Sequence, residues 1–451
     1  MKSFITFVFL NIQILLFAQS GFQFYDSKVD KVEIKFVNVN NLIIIPININ
    51  SVPLNFLVDT GVSETVLFSL DNKKVNFNNV EKIKFSGLGE NIDIEALKSI
   101  NNIFNIDDKF IDRGHKLNII LNEDFNISPS LGYSVNGIIG YELFKNYPIE
   151  IDYVSQKLII YNSQKKFNNR IKKFEDFDLS IELNKPYMFA DVEMTHEKKS
   201  SKLLLDSGNA DSVWLFPTLI PGFNYNRPNI DDYLGAGFSG DIYGKRSRIH
   251  GLYFGNFEFK TPLVAMPDPT SIAHLQLVPN RKGSIGAEII RRFNTIFDYS
   301  NKKVYFKKNK YYDDPFLFDL SGIEVRQDGM SWEQDLVKVE TKKQTGASDD
   351  NISGRTLAYK AQDDFQYKFT LKPKFVIAGT RKDSPAQLAG LQKADVLVKI
   401  DNQLTSNMTL SKINKILKSQ EGKDIKIEIL RNELPMTFNI KLKDPIPYEE
   451  Q

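Results

Sequence analysis

Strand-length apolar runs recur along the first two thirds of the chain. Residues 32–37, 42–49 and 54–58 mix β-branched with other apolar residues, and residues 179–183, 187–194 and 202–205 repeat that rhythm. Helix-forming residues are brief and sit at two matched places, 142–145 and 288–292. The pattern predicts a mainly β protein with two similar β lobes, at 28–165 and 175–312, joined by a polar connection. Beyond residue 320 the rhythm changes. A β-like start at 322–326 precedes a polar stretch at 340–364 and a short apolar strand at 375–379. Ser384-Pro385 then starts a helix that Gly390 ends. A strand at 395–400 follows, and Leu410, Ile413, Ile416 and Leu417 share one helix face. Alternating strands at 425–429 and 436–442 complete a small α+β module at 320–445.

The two lobes carry a repeat. Phe56-Leu57-Val58-Asp59-Thr60-Gly61 returns as Leu203-Leu204-Leu205-Asp206-Ser207-Gly208. Gly140 of an Ile-Gly pair lies 81 residues after Asp59, and Gly286 of another lies 80 after Asp206. Each copy closes on an Asp-Tyr pair, Asp152-Tyr153 or Asp298-Tyr299, before a further strand. Four features in one order at matched spacing point to a duplication.

An apolar run that ends in Asp carries a carboxylate from a buried strand into a tight loop, which is costly unless the charge is hydrogen-bonded or shared. Thr60 and Ser207 supply hydroxyls that lock such loops, and Gly61 and Gly208 let backbone N–H groups approach the carboxylate. Two copies brought face to face would share one proton between Asp59 and Asp206. The charged member would act as base on a water, the protonated one as acid.

Composition narrows the rivals. Lys plus Arg is 58 and Asp plus Glu is 56, a net charge of +2, which leaves no electrostatic footprint for nucleic acid. There is no cysteine, so neither disulfides nor thiolate chemistry is available. The four histidines, His115, His196, His250 and His274, match no metal-ligand spacing; neither a metal nor another cofactor is expected. Lys2, the apolar stretch 4–17 and Ala18-Gln19-Ser20 read as a signal peptide over 1–20. The expectation is therefore export to a periplasm or beyond, from a Gram-negative bacterium, with no membrane span once the signal is removed.

Leu57-Val58-Asp59-Thr60-Gly61 with Gly137-Ile138-Ile139-Gly140 resembles one subunit of a retroviral-type aspartic peptidase, and the second copy resembles the other, fused as in pepsin-like enzymes. That resemblance implies a bilobal acid-protease pair of β-barrels and a monomeric aspartic endopeptidase cutting peptide or protein substrates, with Asp59 and Asp206 catalytic. It implies structural roles for Gly140 and Gly286, and glycine-bearing flaps, for which Gly87 and Gly89, and Gly235 and Gly237, are the candidates. Val62 and Asn209 depart from the pepsin-like pattern, which favours a hydroxyl residue there. Ser384-Pro385-Ala386-Gln387-Leu388-Ala389-Gly390-Leu391, with Asp395 and Ile400-Asp401-Asn402, resembles a bacterial PDZ domain. Such a domain implies capture of a C-terminal peptide by strand addition. By order its groove would involve Leu371, Phe375, Val376 and Ile377. The rival reading is a catalytically inactive exported peptide-binding protein that keeps the bilobal fold.

Overall fold

A computed structural model describes residues 20–85, 94–120, 125–194, 197–220, 223, 227–237, 240–273, 277–338 and 365–448. Residues 1–19 of the expected signal peptide, Gly87 and Gly89, and the polar stretch 340–364 lie outside the described residues.

The protein is mainly β. The first lobe is built on a nine-stranded sheet and the second on a ten-stranded one. In each, the strand that ends at the Asp-Thr/Ser-Gly loop is central. Val52–Val58 runs between Leu42–Ile49, antiparallel, and Gly137–Ile139, parallel. Lys198–Asp206 runs between Lys185–Glu193, antiparallel, and Arg281–Gly286, parallel. Alternate residues of each strand are buried in different clusters, so both faces are covered and 56–58 and 203–205 read as continuous apolar runs. Phe56, Val58, Leu203 and Leu205 are fully buried in one core cluster that spans both lobes.

A third sheet joins the lobes. Its six strands run Glu175–Asp178, Lys303–Lys308, Phe293–Asp298, Ile149–Asp152, Lys157–Tyr161 and Lys31–Lys35. At its centre Ile149 faces Phe297 and Ile151 faces Thr295, an antiparallel pairing of one repeat with the other. Ile149, Ile151, Ile296 and Phe297 are fully buried, each contributing about 1.5–3 kcal/mol of apolar burial.

The C-terminal module has its own core, from Leu320 to Leu442. Its sheet begins with Ile323–Lys338, followed in space by Phe365–Thr380, Val396–Ile400, Asp424–Arg431 and Leu434–Lys441. Ser384 caps the helix Pro385–Ala389 by accepting from the Gln387 N–H, and Gly390 ends it in the left-handed region, with φ +94°. Thr409 caps the second helix, Leu410–Leu417. Arg431 grips the buried Asp395 through two contacts of 2.7 Å.

The strand order corrects the expected peptide groove. Phe375 and Val376 pair with Gln327 and Arg326 on one side and with Leu397 and Val396 on the other, so no strand can be added beside them. Ile377 is fully buried, and Leu371 lies further out on the hairpin, opposite Trp332. The sheet edge flanked by the longer helix is instead Ile323–Lys338.

The module packs on the lobes. Arg248 of the second lobe donates to the Ile446 carbonyl at 3.1 Å, and His250 meets the Tyr448 hydroxyl at 2.6 Å. From the first lobe, the helical turn Ser128–Leu131 packs against the edge strand Ile323–Lys338. No described helix is long and apolar enough to cross a membrane.

Candidate functional site

The two Asp-Thr/Ser-Gly loops meet at the junction of the lobes. The Thr60 N–H donates to Ser207 Oγ at 3.0 Å, and the Ser207 N–H donates to Thr60 Oγ1 at 3.0 Å. Each hydroxyl passes its proton inward across the junction, Thr60 to the Leu205 carbonyl at 2.7 Å and Ser207 to the Val58 carbonyl at 2.9 Å. Both side chains are fully buried, so the four bonds lock the loops without competition from water. Thr60 and Ser207 have the hydroxyls this requires, one donor and two lone pairs each.

The lock sets Asp59 against Asp206, and the two carboxyls hydrogen-bond each other. The Gly61 N–H donates to Asp59 Oδ1 at 2.7 Å and the Gly208 N–H to Asp206 Oδ1 at 3.2 Å. A Cβ on Gly61 would stand 2.8 Å from Asp206 Oδ1, and one on Gly208 would run into the Asp59 carboxyl. Gly140 and Gly286 back the loops: a Cβ on either would collide with a loop carbonyl, Val62 or Asp211 respectively. Both glycines are thus spacers required by close backbone approach. Val62 packs against the apolar cluster of the first lobe, and the Asn209 side chain accepts from the Asp211 N–H at 3.0 Å.

Burial, and then repulsion from Asp206, pushes the Asp59 carboxyl well above the usual carboxylate range. Burial pushes Asp206 up too, but Arg281 opposes the rise, helped by the Asp59 hydrogen bond and Lys185. Both carboxyls are thus pushed up, and two so close cannot both ionise easily, so the pair holds one proton between them. A carboxyl pair that holds one proton can donate to one ligand oxygen and accept from another.

Sequence reasoning missed the two cations. Lys185 begins the strand Lys185–Glu193, and burial lowers its pKa. Arg281 is buried, holds Ser284 Oγ at 3.0 Å, and lies over the Phe216 ring at 5.2 Å. Arg281 precedes the second repeat's Gly-Ser-Ile-Gly segment, and its counterpart in the first repeat is not basic, so the repeat itself hides it. Gly235 and Gly237 lie on the strand Ile230–Gly237, which pairs with Gly240–Arg248 as a hairpin. Leu234 and Ile242 of that hairpin pack on Trp214, placing Trp214 behind the hairpin's base.

A second constellation also escaped the sequence. Thr65 Oγ1 lies 2.7 Å from His115 Nε2, and His115 Nδ1 lies 2.8 Å from Asp112 Oδ2. This hydroxyl–imidazole–carboxylate line has triad order, but all three residues are buried and the Phe104 ring stacks on the imidazole at 3.8 Å. No ligand reaches a hydroxyl sealed this way. The line braces Thr65–Leu67 against Phe110–Ile120, which pair as parallel strands. Among the described residues no group of three His, Cys, Asp or Glu side chains could hold a metal ion.

Comparison with known proteins places a PDZ domain at residues 376–431. By sequence the chain is 29% identical over 101 residues to a probable CtpA-like serine protease of Staphylococcus haemolyticus. That match covers 22% of the chain and 19% of the relative, so the chain spans about a fifth of the relative's length. Among solved structures it is similar to an aspartic proteinase from Irpex lacteus, with a TM-score of 0.39 and 9% identity, covering 63% of this chain and 99% of that one. A likeness that low carries no argument about activity. The expectation of an aspartic endopeptidase is corrected by the sequence relative, which is named a serine protease and carries the support for a protease without the aspartic class. The fold expectation stands: mainly β, bilobal, with a C-terminal PDZ domain.

Proposed function

We propose that this chain is an exported peptide-directed protein of the protease class, in which the PDZ domain holds an extended polypeptide against the bilobal body. The observation that carries the reading is the PDZ match at 376–431 in a module whose edge strand, Ile323–Lys338, lies beside the helix Leu410–Leu417. An edge strand offers unpaired backbone groups to a peptide, and the flanking helix offers side-chain contacts. The name of the sequence relative supports the hydrolase class. In the lobes, Asp59 and Asp206, set by Thr60, Gly61, Ser207 and Gly208, are the proposed proton-exchanging floor of a ligand cleft. The hairpin bearing Gly235 and Gly237 is its proposed cover.

The test is cleavage and capture of a peptide library by the mature chain, across acid to neutral pH. Parent, D59N and D206N are compared, with and without a serine-directed phosphonate. Loss of cleavage with the phosphonate alone places the chemistry on a serine. Capture without cleavage at any pH leaves a peptide-binding protein. Neither capture nor cleavage defeats the proposal.

A further inference from the structure

The turn that enters the edge strand of the PDZ domain has the form of an anion nest, and the chain fills it itself. Leu320, Ser321, Gly322 and Ile323 carry four successive backbone N–H groups at the head of Ile323–Lys338. Gly322 is in the left-handed region, with φ +77°, a conformation that turns neighbouring N–H groups toward one point. That point is occupied by the Asp319 carboxylate. Oδ1 accepts from the Ser321 N–H at 3.1 Å and its hydroxyl at 2.7 Å; Oδ2 accepts from the Gly322 N–H at 2.7 Å. The two outer N–H groups are spent as well, Leu320 on the Leu417 carbonyl at 3.1 Å and Ile323 on Ser321 Oγ at 3.0 Å.

Arg381 completes the occupation. Its guanidinium donates to Asp319 Oδ2 at 2.9 Å, lies over the Phe318 ring at 4.6 Å, and stands 3.6 Å from Asp232 on the glycine-bearing hairpin. The cation best placed to greet an incoming carboxylate is already paired. A free C-terminus arriving here would meet Asp319 at contact distance with no N–H group left to receive it, which is repulsion and desolvation together. Five residues into the edge, a Cβ on Gly132 would stand 2.6 Å from Leu410 Cβ and 3.6 Å from Gln327 Oε1, so a turn of the first lobe meets both the strand and the helix there and leaves the head of the edge beside the nest.

We propose that this groove binds an internal extended segment of a polypeptide and rejects a free C-terminal carboxylate, with Asp319 as the specificity-determining residue. The inference rests on the peptide-binding reading above and revises the C-terminal ligand expected from the sequence. An internal segment adds as a strand and passes over the filled nest, so it meets no like charge.

The probe is an array of randomised decapeptides, each made with a free C-terminal acid and as the carboxamide, binding to the full mature chain. The parent is expected to bind both forms within about twofold. D319A, with its fold checked by circular dichroism, frees the nest and Arg381 and should come to favour the acid by about tenfold or more. D319N, uncharged and of the same size, should fall between. A tenfold acid preference in the parent, or a folded D319A as indifferent as the parent, overturns the inference and leaves peptide binding intact. Binding of neither form by any variant overturns both.

Discussion

The loops at Asp59 and Asp206 make the same hydrogen bonds and keep different company. The Asp59 side of the junction is apolar, with Leu42, Ile44, Leu57, Val66 and Ile138 clustered around Val62. The Asp206 side holds Arg281, and beyond it Arg246 paired to Asp211 at 2.7 Å, whereas Lys185 acts on both carboxyls. The repeat keeps the loop geometry alike, while the surroundings of its two copies differ in polarity. Equal backbone and unequal field is the general means by which two like carboxyls acquire opposite roles.

The strongest challenge to the equivalence is to add a methyl group at each spacer. G140A and G286A should each cost about 3 kcal/mol or more in urea unfolding, since backbone must shift to admit the Cβ. If one is tolerated and the other is not, the loops are not mechanically alike. Next come the locking hydroxyls. T60V and S207A each remove two cross-junction bonds and orphan a buried N–H, which predicts similar losses of about 1–3 kcal/mol.

Acid substitutions sharpen the difference instead. Because the folded-state pKa of Asp59 lies above its unfolded value, its contribution to stability is complete below the ordinary aspartate range and fades as pH rises through the raised value. D59N should therefore melt about 2 °C or more above the parent at neutral pH, the gain vanishing toward pH 3. D206N should gain less. The smallest effect is electrostatic only: R281M removes the leading opposition to the rise of Asp206, so carboxyl carbon NMR should show Asp206 titrating higher and the pair more evenly. An unchanged asymmetry would move the cause from Arg281 to the apolar wall around Val62.

What the sequence disclosed follows from periodicity. Apolar triplets before Asp59 and Asp206, and Ile-Gly segments at 80 and 81 residues, are local patterns copied twice, so loops, lobes and spacers could all be read. The His115 line could not, because Thr65 and Asp112 become neighbours only when two distant strands pair. Arg281 and Lys185 gave no signal, since a single basic residue at a strand end is ordinarily solvated. In the PDZ domain the apolar run at 375–377 suggested a groove strand. Its apolarity reflects burial in the module's core, whereas the true edge, Ile323–Lys338, mixes polar residues with Met330 and Trp332 beyond its β-like start and did not read as one long strand. The aspartic type was read from the paired motif alone, and the sequence relative, while supporting a protease, is named a serine one.

The sheet between the lobes has a consequence for biogenesis. Lys31–Lys35 waits for Lys157–Tyr161, and Ile149–Asp152 waits for Phe293–Asp298, so neither half is finished until most of the chain has been synthesised. Until then Ile149–Asp152 is a bare apolar margin that invites misassembly. Slow maturation, with dependence on chaperones that shield such margins, is the expected cost of tying two similar halves with one ladder.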